Sequence, residues 1–175
     1  MTLHSDIMLR EQTPISFKQI QAILSRHKIS PKFNFLEDMP ERPTDKMLFG
    51  AGDSACIMCT LFHHGKPISN HWVCLLKRQN YYSFFDPLGH SIRSLELKLK
   101  MNRTPLSNWA AGRQVRHSSA KLQQMAADIN TCGCHVAVRI LHKNKSNPEY
   151  ARWLQKSFMQ PDLSVSMLCY LDLLK

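Results

Sequence analysis

Three apolar runs separated by short polar breaks restrict what the middle of this chain can fold into: Ala55 to Phe62, Trp72 to Leu76 and Tyr81 to Phe85. Short apolar runs bounded by turn residues are the pattern of buried strands. His63-His64-Gly65-Lys66-Pro67 reads as a turn between the first two, and Lys77-Arg78-Gln79-Asn80 makes the second and third a hairpin. A sheet this apolar must be covered by other elements. The flanks supply helices. Ser16-Phe17-Lys18-Gln19 forms a capping box with Ile15 and Ile20 as its staple, and Phe17, Ile20 and Leu24 share one face. A second helix starts at Thr131-Cys132-Gly133, capped by Asn130 or Thr131, with Cys134, Ala137 and Leu141 inward. A third is capped by Asn147, with Pro148 at its first position and Tyr150, Trp153, Leu154 and Phe158 on its apolar face. Residues 92–101 fit either a strand or a helix. Residues 31–45, with three prolines, read as irregular, and a strand is expected within 113–124. The expected fold is α+β, a mostly antiparallel central sheet flanked by helices.

The 175 residues suit one domain, and no repeat or long linker divides them. The parts are a lead-in over 1–47, a core over 48–143 and a C-terminal helical part over 144–175. No apolar stretch approaches the ~20 residues that span a bilayer, and the first twelve residues lack the apolar centre of a signal peptide. An intracellular protein is expected, with its six cysteines reduced. Lys and Arg outnumber Asp and Glu by 23 to 13, a formal charge of +10. That field favours nucleic acid or acidic partners, but the basic residues are spread out, with mild clusters at Lys98, Lys100 and Arg103 and at Arg113 and Arg116.

The hairpin carries the chemistry. With Arg78 and Gln79 as turn residues, positions pair outward until His71 faces Asp86 on one side of the sheet, Cβ atoms about 4.5–5.5 Å apart. Pro87 then ends the strand and leaves the carboxylate at the sheet end. Cys132-Gly133 opens an apolar helix, where unpaired N–H groups and the positive dipole end favour a thiolate. Gly133 leaves the approach to the sulfur open. Cys132 as nucleophile, His71 as base and Asp86 as its orienting partner form a triad for acyl transfer, with the first helical N–H groups holding the oxyanion. Cys134 is the rival thiol, but it faces the helix interior, and His135 reads as a helix-face residue. Trp72 points away from His71 into the core and can also wall a substrate cleft. Cys56-x-x-Cys59 and His71-x-x-Cys74 superficially suggest zinc, yet residues three apart on a strand point to opposite faces, so no metal and no cofactor is expected.

His71-Trp72, the strand end Ser83-Phe84-Phe85-Asp86-Pro87 and Asn130-Thr131-Cys132-Gly133, in that order, resemble the clan of cysteine proteases that includes adenain and the SUMO-specific proteases. The resemblance spans roughly residues 48 to 143. It implies a thiol endopeptidase cutting near Gly or small residues through His71, Asp86 and Cys132, with a Gln before the Cys aiding the oxyanion hole. Gln124 is the match, eight positions before Cys132, and Gln123 competes. Thr131 stands where the SUMO-protease branch tends to carry Asp, which brings the chain nearer the compact viral members. The implied partners are a protein or polyprotein substrate or a ubiquitin-like modifier, with DNA or RNA as an activator. The implied setting is the cytoplasm or nucleus of a host cell, or the virion. The alternatives are an acetyltransferase of the same clan and a noncatalytic basic module that binds nucleic acid.

Overall fold

The two longest apolar runs become the two longest strands, and everything else is arranged around them. The computed structural model describes Leu9 and residues 11–63, 66–101, 104–126, 129–157 and 160–174. β1 (Lys32–Phe35), β2 (Ser54–His63), β3 (Lys66–Lys77), β4 (Tyr82–Phe85) and β5 (Val115–His117) form one five-stranded sheet in that spatial order. β2 and β3 extend into the segment expected to be a wide turn, of which His64 and Gly65 lie outside the described residues.

The sheet is mixed. β2–β3 and β3–β4 pair antiparallel, as expected, but β1–β2 and β4–β5 pair parallel. Parallel neighbours need a crossover of about a dozen residues or more. The stretch between β1 and β2 holds a 3-10 turn (Leu36–Asp38) and α2 (Asp45–Phe49), and that between β4 and β5 holds α3 (Ile92–Lys98) and α4 (Pro105–Ala110). β1 and the 3-10 turn fall where the prolines suggested irregular chain, and α2 begins at the last residue of that stretch, Asp45. The ambiguous 92–101 segment is the helix α3, and the strand expected within 113–124 shrinks to the three residues of β5.

Helices cover both faces of the sheet. On one lie α1 (Phe17–Arg26), α5 (Cys132–Leu141), α6 (Asn147–Ser157) and α7 (Pro161–Leu174), packing Ile20, Leu24, Val136, Ile140 and Tyr150 against Cys56, Trp72, Cys74 and Phe85. On the other, Leu48, Phe49, Ile92, Leu95 and Trp109 of α2 to α4 meet Ile57, Cys59, Val73, Leu75 and Phe84. Strands buried on both faces read as continuous apolar runs rather than alternating ones. Cys56 and Cys59 accordingly belong to opposite layers. Among the described residues, no helix is long and apolar enough to cross a membrane.

Two local readings change. The capping box at Ser16 forms as expected, but Phe17 stays 39% exposed and packs edge-on against Phe33, leaving Ile20, Ile23 and Leu24 as the buried face of α1. At α6 the cap is Ser146, not Asn147: the Ser146 hydroxyl accepts from the Glu149 N–H, while the Glu149 carboxylate accepts from the Ser146 N–H at 2.7 Å. Asn147 is buried instead. Its amide N–H donates to Phe84 O at 3.0 Å, and its Oδ1 accepts from Ser83 and from the buried Arg139 guanidinium. This side chain joins β4, α5 and α6. Phe158, expected on the apolar face of α6, lies outside the described residues.

Candidate active site

β4 ends at Phe85 because Pro87 offers no N–H to a ladder. The carboxylate of Asp86 therefore sits at the strand end and turns onto local donors. Asp86 Oδ1 accepts from His71 Nε2 at 2.9 Å and from the Leu88 N–H at 2.8 Å, and Oδ2 accepts from His90 Nδ1 at 2.9 Å. His71 and Asp86 do meet, through a register different from the expected one. Cys74 faces Phe85 and Lys77 faces Tyr82, so residues 78–81 form the connection and Asp86 lies two residues short of the position opposite His71. An offset of two keeps both side chains on one face, within diagonal reach.

Cys132 is the first residue of α5, and its thiol is among the groups that raise the pKa of the His71 ring. Nε2 being held by Asp86, Nδ1 is the nitrogen left to the sulfur. The Cys132 Sγ also lies 3.9 Å from Asn70 O. Electrostatics follow the contacts. Burial works against protonation of His71, but the hydrogen bonds to Asp86 and Cys132 and their charges outweigh it and raise its pKa to about 10. Burial opposes ionisation of Asp86 too, yet the bonds from His71 and His90 hold its pKa down at about 2. The pair is thus built to keep an imidazolium beside a carboxylate. Of the three residues Cys132 is the most open, 7% exposed against 2% for His71 and 0% for Asp86.

A groove of about 370 Å³ opens on Cys132, walled by Ile15, Phe17, Phe35, Met58 and Trp72. Gly133 is needed here for packing more than for access to the sulfur. A Cβ at this position would stand 2.2 Å from Ile15 Cγ2, so the absence of a side chain lets the segment before α1 close one wall of the groove. Trp72 is buried at the floor of this wall, edge-on to Phe33.

The glutamines are placed less directly. The Gln124 side chain is exposed, and no contact described for it reaches Cys132; its backbone N–H donates to Asp162 Oδ2 at 2.9 Å. Gln123 is half-buried, with Nε2 directed at Ile129 O and Oε1 buried without a partner among the described residues. The backbone N–H groups of Leu122 and Gln123 both donate to Pro87 O, at 2.8 and 3.0 Å. Cys134 is buried, its carbonyl accepting from the Cys169 thiol.

Two residues near the site escaped the sequence reading. His90, four positions after Asp86, shares its carboxylate; the turn signal Asp-Pro-Leu-Gly followed by His was there to be read. His135 is not a surface residue of α5 but fully buried, its Nε2 donating to Asp162 Oδ1 at 3.0 Å. No local signal points from one to the other. Of the basic clusters, Arg113 lies beside Asp45 and over Trp109, and Arg116 lies over Tyr81. Arg103 is outside the described residues.

Among solved structures the chain is similar to the crystal structure of the ASFV pS273R protease, with 16% identity and a TM-score of 0.47 over 91% of this chain and 67% of that one. It is also similar to the SUMO protease Ulp1 with its catalytic cysteine oxidized to a sulfinic acid, with 13% identity and a TM-score of 0.43 over 100% of this chain and 85% of that one. A third similar structure is the C-terminal Ulp1 protease domain in complex with Smt3, the yeast ortholog of SUMO, with 13% identity and a TM-score of 0.42 over 98% and 83% of the two chains. No family profile and no curated protein is matched. The functional reading therefore rests on the site's own geometry.

Proposed function

We propose that the protein is a thiol endopeptidase whose nucleophile is Cys132. The observation that carries this reading is the placement of one thiol, alone of the six, at a groove and beside an imidazole whose far nitrogen is held by a buried carboxylate. Cys132 Sγ attacks a peptide carbonyl after passing its proton to His71, and His71 returns that proton to the departing amine. Asp86 keeps the ring oriented and stabilises its charged form. The tetrahedral anion is stabilised by N–H groups of the first turn of α5, which no helical carbonyl can take, with the Gln124 amide turning in from its exposed position. Trp72 and Ile15 stand in the wall of the groove beside Cys132, and the preferred residue beside the cut is Gly or another small one. The substrate is a protein, either a polyprotein or a precursor or conjugate of a ubiquitin-like modifier.

Limiting iodoacetamide near pH 7 followed by mass spectrometry tests the nucleophile. Cys132 should be labelled at least about 10-fold faster than the other five thiols, and His71→Ala should abolish that preference. Even labelling of all six overturns the reading. Cleavage of Gly-containing peptides against modifier precursors then separates the two substrate classes, and Gln124→Ala against Gln123→Ala shows which amide serves the anion.

A further inference from the structure

The first turn of α5 carries an anomaly. Thr131 occupies its N-cap position, where a threonine hydroxyl would ordinarily accept from a backbone N–H of the turn above. It does not do so; with φ −95° and ψ 1° the cap is turned away, and no side-chain cap bond is made. The hydroxyl donates instead to Asp162 Oδ1. The same oxygen accepts from His135 Nε2 at 3.0 Å, and Oδ2 accepts from the Gln124 N–H at 2.9 Å. One carboxylate, 2% exposed at the start of α7, thus holds the residue before the nucleophile, the residue three after it and the glutamine segment.

We infer that Asp162 is a positioning residue for the reaction, holding the oxyanion side of the site as Asp86 holds the nucleophile side; this rests on the protease reading. Drawing the Thr131 hydroxyl onto the carboxylate leaves the first-turn N–H groups of α5 uncapped by that side chain and open to a substrate oxyanion. Holding the Gln124 N–H fixes the strand of chain that Pro87 O grips from the other side through Leu122 and Gln123. The segment 122–124 is therefore clamped between two points, one next to Asp86 and one at Asp162. His135 completes the cluster. Its Nε2–H faces the carboxylate while Nδ1 is buried without a partner among the described residues, so the ring acts as a donor to Asp162. The Asp162 pKa is lowered accordingly: burial opposes ionisation, and the His135 bond and charge, with Thr131 and Gln124, outweigh it.

The two sides of the site can be separated because alkylation by iodoacetamide needs the thiolate but no oxyanion hole, whereas peptide cleavage needs both. Asp162→Ala should lower kcat for a cleaved peptide by roughly 100-fold, with KM and the Cys132 alkylation rate each within about 3-fold of wild type. Backbone amide exchange over 122–131 should rise by at least about 10-fold while β3 stays protected. Asp162→Asn, whose single oxygen can serve either Thr131 and His135 or Gln124 while its amide N–H groups face the other donors, should recover only part of the lost kcat. If Asp162→Ala does not fold, Thr131→Val carries the test, with an expected fall of about 3- to 10-fold in kcat at unchanged alkylation. Parallel loss of cleavage and alkylation, or kcat equal to that of an active wild type, overturns the inference. A wild type that labels at Cys132 yet cleaves nothing overturns the protease reading itself, a failure visible without any Asp162 variant.

Discussion

Two histidine–aspartate pairs flank the first turn of α5, and their chemistry is nearly the same. His71–Asp86 and His135–Asp162 join ring and carboxylate at 2.9 and 3.0 Å, and all four residues are buried. The difference lies in the third partner. The first pair faces a thiol that opens on a groove, so its ring can take and return a proton. The second has no thiol among the partners of its carboxylate, which accepts from a hydroxyl and a backbone N–H, groups that do not titrate in the working range. A histidine–aspartate pair is thus not a site by composition. It becomes one where a nucleophile and a route for substrate meet it.

Removing each ring sharpens that contrast. His71→Ala should reduce peptide cleavage by about 10³-fold or more, since the nucleophile loses its base, and should lower the melting point too, since buried Asp86 loses one donor. His135→Ala should lower the melting point in the same way, because it leaves a buried carboxylate short of one donor, but with a much smaller loss of kcat. Equal kcat losses in the two variants would erase the distinction between the pairs.

The helix between the pairs provides the next test. Gly133→Ala places a Cβ 2.2 Å from Ile15, and overpacking of this kind costs about 1–3 kcal/mol. The expected result is a lower denaturation midpoint together with a wider groove that accepts residues larger than Gly beside the cut. An unshifted midpoint would show that Ile15 does not bear on this helix.

The pH dependence of stability isolates the first pair. Asp86 has a depressed pKa of about 2, so its contribution is present above the ordinary carboxylate range and is lost as pH falls through that value. His71 has a raised pKa of about 10, so its contribution is full below its ordinary value of 6.5 and declines as pH rises through 10. Stability from this pair is therefore greatest between about pH 4 and 6.5. Melting temperatures of wild type should fall by roughly 2–4 °C for each kcal/mol lost on either side of that window. Asp86→Asn should flatten the profile; an identical profile in that variant would mean that other groups set it. The smallest effect is expected at His90, which holds the outer oxygen of Asp86 at 15% side-chain exposure. His90→Ala should lower kcat by less than about 10-fold, as the Leu88 N–H and His71 still orient the carboxylate.

Several parts of this molecule were legible in the residues alone. The apolar runs at 55–62, 72–76 and 81–85 mark β2, β3 and β4, and capping chemistry marks α1. The His71–Asp86 contact was found through a register two residues away from the real one, and it survived because side-chain direction repeats every two residues. A slip of one would have lost it. The parallel strands β1 and β5 were missed, or nearly so, because short parallel pairings carry little local signal and depend on distant chain. α7 had a readable start, Pro161 followed by Asp162, that the reading passed over. The bond from Thr131 to Asp162 spans 31 positions, and no periodicity or motif connects them.

The sequence by itself determined where strands and helices can lie and which thiol stands at a helix start, because apolar period, capping and proline placement act over a few residues. Only the tertiary structure decided the register that joins His71 to Asp86, and that a second pair, His135–Asp162, lies buried beside the same helix start. Those choices come from packing two helical layers onto one sheet, where contacts between residues far apart in the chain set which pair meets a thiol and a groove.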